Sequence, residues 1–174
     1  MPKQNNSDIL QDGWWSVFPK SSIKYIRLGR FDRPIGFWLL LLPGWWVLPL
    51  TSLDLLNCVK LMFIFLVGSI VMRAAGCTIN DMWDKDIDKK ISRTKNRPLA
   101  NGEISNLKAS YFLIIMLLIG FFCLYQLNVY TWFVAISAIP LIIIYPLAKR
   151  FTKWPQIFLG LTFSWAVPTA WSSA

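Results

Sequence analysis

Three stretches of this chain, residues 34–53, 61–72 and 109–148, contain no Asp, Glu, Lys or Arg at all. A helix that crosses the hydrocarbon core of a bilayer needs about 20 consecutive apolar residues, so the last stretch has room for two crossings. The pattern predicts spans at about 34–50, 56–79, 109–127 and 129–148, and a fifth from about 155 that is still apolar at residue 174. Pro43 and Gly44 should interrupt the first span, which closes on Trp45, Trp46 and Pro49, residues suited to a membrane interface. Ahead of it, residues 1–33 form a polar lead with paired aromatics at Trp14 and Trp15 and an interfacial helix expected near 19–32. The fold class expected is all-α membrane protein, with residues 34–174 carrying four to five transmembrane helices.

Composition agrees with lipid as the solvent. Hydrophobic residues make up 55% of the chain and charged residues 16%, against about 25% charged in soluble domains. A net charge of +9 would suggest nucleic acid in a soluble protein. Here the basic residues lie between apolar segments, where they set orientation, and no nucleic-acid partner is expected. The lead carries six Lys/Arg, residues 80–108 seven and residues 149–153 three, whereas 51–59 and 126–130 carry none. By the positive-inside rule the N-terminus and both basic loops are cytoplasmic. No cleavable signal peptide is visible in residues 1–30. Cys58, Cys77 and Cys123 lack metal-like spacing and read as small core residues. There is no histidine, so chemistry must rest on carboxylates, cations or a bound metal.

The densest polar cluster, Asn80-Asp81-Met82-Trp83-Asp84-Lys85-Asp86-Ile87-Asp88, follows the second span. If the helix continues through it at about 100° per residue, Asn80, Asp84, Asp88 and Asp81 share about a quarter of the circumference, and Asp86 falls on the far side. Hard oxygen ligands on one face suit Mg²⁺, which commonly bridges a few carboxylates to substrate phosphates. Arg73 projects onto the same face about 10 Å deeper. An intramembrane cation usually faces a cavity or a partner, so the second helix is expected to line a polar cleft. The alternatives are a solvated acidic loop paired with Lys85, Lys89 and Lys90, and an Arg73 that merely snorkels.

Two basic groups lie on the same predicted side. In Arg93-Thr94-Lys95-Asn96-Arg97-Pro98-Leu99, the arginines, Arg97 among them, are candidate clamps for phosphate oxygens; the alternative is that the group is ordinary orientation charge, as Lys95 reads. Lys149 and Arg150, where the fourth span meets the cytoplasm, could hold an anionic substrate or anchor a helix end.

The run Met72-Arg73-Ala74-Ala75-Gly76-Cys77-Thr78-Ile79-Asn80-Asp81 through Asp88-Lys89-Lys90, then Arg93-Thr94, Asn96-Arg97-Pro98 and Gly102, closely resembles the UbiA superfamily of intramembrane prenyltransferases. Within it, the likeness is to 4-hydroxybenzoate polyprenyltransferases of ubiquinone biosynthesis. Arg33-Pro34-Ile35-Gly36, Tyr145-Pro146 with Lys149-Arg150, Trp154-Pro155-Gln156 and Gly160 extend it from about residue 25 to the end. The resemblance implies a nine-helix bundle of which this chain is the N-terminal part, with two aspartate-rich motifs that bind Mg²⁺ and the diphosphate of a polyprenyl donor. Asn80, Asp81, Asp84 and Asp88 match the first motif, with Asp84 and Asp88 the expected catalytic and metal-binding carboxylates beside Asn80. Arg150 matches a basic position associated with the carboxylate of the aromatic acid. The second motif would lie beyond residue 174, and Glu103 is the only acid after Asp88, so a truncated product or fragment is expected.

The implied reaction joins a polyprenyl diphosphate to 4-hydroxybenzoate ortho to its hydroxyl. The alternatives are another aromatic acceptor, or a catalytically inactive membrane fragment. The bacterial inner membrane is the expected location, because Asp8 and Asp12 sit poorly in a mitochondrial transit peptide.

Overall fold

A computed structural model describes residues 8–9, 13–144 and 154–174. Every regular element among them is helical: a 3₁₀ turn at Trp14–Val17, α1 Lys20–Leu28, α2 Ile35–Val47, a 3₁₀ turn at Leu48–Leu50, α3 Leu55–Trp83, α4 Lys85–Asp88, α5 Asn106–Tyr125 and α6 Val129–Ile136. After a further helical stretch at 139–144, α7 covers Pro155–Ser164 and α8 Ala166–Ser173. α3 and α5 are each long and apolar enough to cross a membrane, while the apolar helices at Ile35–Leu50 and Val129–Ile144 are shorter. α5 turns Ile114, Leu118, Phe121 and Phe122 outward. Burying these side chains in lipid rather than exposing them to water is worth roughly 1.5–3 kcal/mol apiece. This is an all-helical membrane protein.

The chain divides into two compact units, residues 1–34 with 71–118 and residues 35–70 with 119–174. In the first, Leu28, Leu99, Ile104 and Ala109 are buried together, with Tyr25, Met82 and Phe112 packed against them. The Tyr25 and Phe112 rings lie 5.8 Å apart. The loop after α4 is therefore a packed element whose apolar residues close over α1 and α5.

In the second unit Leu48, Leu61, Ile64, Cys123 and Ala170 form the core. Indole donors tie it together: Trp45 Nε1 donates to the Met62 carbonyl at 2.9 Å, and Trp165 Nε1 to the Val134 carbonyl at 2.9 Å. Carbonyls are good partners in a segment that has no water to offer. The Asn128 side chain caps α6, accepting from Thr131 N at 2.9 Å, and donates to the Ser172 carbonyl at 2.7 Å.

Proline sets the breaks, though not where the sequence suggested. The expected interruption at Pro43 is absent, because α2 runs through it. A single missing N–H is tolerated inside an apolar helix, and Gly44 adjusts the packing instead. A Cβ there would meet the Ala166 carbonyl oxygen and the Phe65 ring, each at 3.4 Å. The stretches expected as spans at 129–148 and 155–174 each contain a turn among their described residues. α6 stops at Ile136 and α7 at Ser164, each four residues before a proline, Pro140 and Pro168. That is the carbonyl a proline ring would strike.

Gly44→Ala should therefore be nearly neutral, and Gly44→Leu should cost about 1–3 kcal/mol by overpacking the contact between α2 and α8. Thermal melting in detergent measures both, and equal melting of the leucine and glycine proteins would contradict the packing.

Candidate functional site

α3 delivers Asn80 and Asp81 in its last turn and ends at Trp83. Asp84 sits between the helices at φ −93°, ψ 6°. The ladder nevertheless holds, with Asp84 N donating to the Asn80 carbonyl at 2.9 Å and Asp88 N to the Asp84 carbonyl at 2.8 Å. The helical register survives the bend, but its acidic residues do different work.

Asp81 and Asp88 are buried and converge on Arg97. Arg97 Nη1 donates to Asp88 Oδ2 at 2.8 Å and to Asp81 Oδ1 at 3.2 Å. The other edge of the guanidinium, Nε and Nη2, donates to Asp8 Oδ2 at 3.2 and 3.0 Å. Arg30 Nη2 reaches Asp81 Oδ1 from α1's side at 2.8 Å. Burial opposes the charge on Arg97, yet Asp81, Asp8 and Asp88 together outweigh it and raise its pKa. The Arg97 loop is fastened to the same cluster: Thr94 Oγ1 donates to the Asp88 carbonyl at 3.1 Å, and Asp8 N to the Arg93 carbonyl at 2.9 Å.

Asp84 and Asn80 are only half-buried, and neither side chain has a hydrogen bond or ion pair among the described residues. Asp86 is exposed and paired with Lys89 at 3.0 Å. That hydrogen bond and the charge of the ammonium hold its carboxyl below the usual range. So the expected quartet is split, with Asp81 and Asp88 turned to Arg97 and Asp84 and Asn80 left available. Among the described residues no three Asp, Glu, Cys or His side chains are gathered as a ready metal centre. Arg73 is half-buried, and its Nε has no partner although shielded from solvent. Lys149 and Arg150 lie outside the described residues.

The sequence reading missed Arg30, Asp8 and Asp32. Asp32 is buried, with Oδ2 held by Arg33 at 3.1 Å and Oδ1 unpartnered. Arg30 and Asp8 looked like ordinary members of a polar lead, and their partners lie 51 and 89 residues away.

A helical membrane protein with an aspartate cluster tied to an arginine-bearing loop is the class these features define. The profile of the UbiA prenyltransferase family matches residues 37–174, and the chain belongs to that family. It is 47% identical, over 86% of its own length, to the mitochondrial 4-hydroxybenzoate polyprenyltransferase of Aedes aegypti, and covers 34% of that protein. It is 46% identical over 89% of its length to 4-hydroxybenzoate geranyltransferase 2 of Lithospermum erythrorhizon, covering 51% of it. It is 44% identical over 89% to the mitochondrial 4-hydroxybenzoate polyprenyltransferase of Homo sapiens, covering 42%. The chain thus spans between a third and about half of these relatives. No solved structure matches it.

Proposed function

We propose that this chain carries the donor-binding half of an enzyme that transfers a polyprenyl group from its diphosphate to 4-hydroxybenzoate, ortho to the hydroxyl, for ubiquinone synthesis. The observation that carries the reading is the division of the aspartate cluster. Arg97 and Arg30 neutralise Asp81 within the protein, while Asp84 stays half-exposed beside Asn80 and without a partner among the described residues. Support for the chemistry comes from relatives that bear the names of 4-hydroxybenzoate polyprenyl- and geranyltransferases.

Mg²⁺ fits such a donor set, because it keeps several waters and needs only one or two carboxylates beside substrate phosphates. Asp84 and Asn80 would hold it, and Asp88 would join through the oxygen that Arg97 leaves free. When bound, Mg²⁺ supplies positive charge to the departing diphosphate.

The allylic C–O bond breaks, with its electron pair leaving on the diphosphate. The ring carbon ortho to the hydroxyl forms the new C–C bond, and that carbon then loses its proton. The chain's part is to orient the donor, supply fixed charge and keep water away from the cation. No covalent enzyme nucleophile is required, which suits a chain without histidine. Arg73 inside the span supplies fixed positive charge, and Arg150 with Lys149 takes the carboxylate of the aromatic acid. Placement in the bacterial inner membrane, N-terminus and aspartates cytoplasmic, completes the reading.

The test is transfer of a radiolabelled prenyl group to 4-hydroxybenzoate and to homogentisate, in membranes containing the full-length protein. Product from 4-hydroxybenzoate alone is expected, and preference for homogentisate would overturn the acceptor assignment. Arg150→Ala should raise the KM for 4-hydroxybenzoate tenfold or more, an order that follows from losing a charge-assisted pair, with the KM for the prenyl diphosphate little changed. Equal weakening of both substrates would move Arg150 to the diphosphate.

A further inference from the structure

The one residue other than glycine with positive φ among the described residues is Arg30, at φ 57°. It stands at the end of α1, where the chain closes a Schellman turn. Phe31 N donates to the Ile26 carbonyl at 3.0 Å and Arg30 N to the Arg27 carbonyl at 3.2 Å. Glycine usually fills this left-handed position, because a Cβ is strained there. Gly29 is adjacent and yet adopts ordinary helical angles. A strained residue persists when something else over-determines it. Here that is the guanidinium, whose Nη2 lies 2.8 Å from Asp81 Oδ1, on a carboxylate only 2% exposed.

The same Asp81 oxygen receives Arg97 Nη1, and Arg97 Nη1 also holds Asp88. The links run in series: Arg30 fixes Asp81, Asp81 fixes Arg97, and Arg97 fixes the rotamer of Asp88. We propose that Arg30 is a positioning residue, kept in a left-handed conformation so that its guanidinium, through Asp81 and Arg97, aims the aspartate cluster at a metal-bound diphosphate. This rests on the reading of Asp84 and Asn80 as the diphosphate end of the site. Arg30 itself touches neither metal nor substrate.

Arg30→Gly separates the two roles of the residue. Glycine relaxes the turn, so a residue that merely ended a helix would be replaced without loss. If Arg30 positions the cluster, Mg²⁺-dependent binding of geranyl diphosphate to the purified full-length protein, followed by calorimetry, should weaken at least tenfold. The Mg²⁺ concentration for half-maximal binding should rise severalfold, while the KM for 4-hydroxybenzoate stays within twofold. Arg30→Lys should recover part of the binding. Because the effect runs through Asp81, Arg30→Gly combined with Asp81→Asn should be no worse than the more damaging single change.

Unchanged Mg²⁺ titration in Arg30→Gly overturns the proposal, as do additive losses in the double variant. The double variant buries no unpaired carboxylate, so it decides the matter where Arg30→Gly alone fails to fold: wild-type binding in it also overturns the proposal. Intact binding without transfer in the unmodified protein counts against the acceptor assignment and leaves Arg30's role standing.

Discussion

Asp84→Ala in the full-length protein should lower prenyl transfer by about 10²–10³-fold, the order seen when one preorganised charge-stabilising group is removed from an active site. Its melting temperature should hardly move, because the Asp84 carboxylate has no partner among the described residues to abandon. Asp86→Ala, two residues away on the solvent side and paired with Lys89, should stay within about twofold, as exposed substitutions usually do. Asp88→Ala should lose activity and stability together, since it also leaves Arg97 underpaired. Rates normalised to protein in membranes, with melting in detergent, separate the three. Equal losses at Asp84 and Asp86 would sink the assignment.

Arg97→Ala should be the most destabilising single change in the first unit. It strips Asp88 and Asp8 of their cation and leaves Asp81 with Arg30 alone. Breaking a buried ion pair by deleting one partner costs about 3–5 kcal/mol, because the surviving charges stay desolvated. Arg97→Lys should recover less than half, since a compact ammonium cannot present one edge to Asp8 and the other to Asp81 and Asp88. Denaturant titration in mild detergent measures this, and a loss below about 0.5 kcal/mol for alanine would show that the three carboxylates find other partners.

The elements were more legible than their interruptions. α3 and α5 follow from apolar runs too long for anything but a buried or lipid-facing helix. The Asn80–Asp88 stretch announced itself because carboxylates are scarce in such a chain. Proline misled in both directions: the local sequence around Pro43 looks like a break, but the helix absorbs it, whereas Pro140 and Pro168 stop helices at Ile136 and Ser164. The local sequence around a proline does not say whether neighbouring groups can satisfy the carbonyl it frees, so neither outcome could be read there.

The ion-pair chemistry was hidden for a different reason. Arg97 reads as a loop cation free to meet phosphate, but in the structure its Nε, Nη1 and Nη2 donate to Asp8, Asp81 and Asp88. Such commitments depend on tertiary contacts across as many as 89 residues. Arg30 is concealed further, since Gly29 beside it is the residue the turn would ordinarily use.

The Arg30–Asp81 contact also counts crossings. A separation of 2.8 Å cannot straddle a hydrocarbon core about 30 Å thick, so the two residues occupy the same face of any bilayer. The 51-residue excursion between them must therefore traverse that bilayer an even number of times. An insertion error that dropped one passage would leave Asp81 on the opposite face from Arg30, with its charge unanswered from that quarter. At roughly 5–20 residues per second of synthesis, Arg30 waits roughly 3–10 s for Asp81 to arrive, and the pair can close only if the passages made in the interval are even in number.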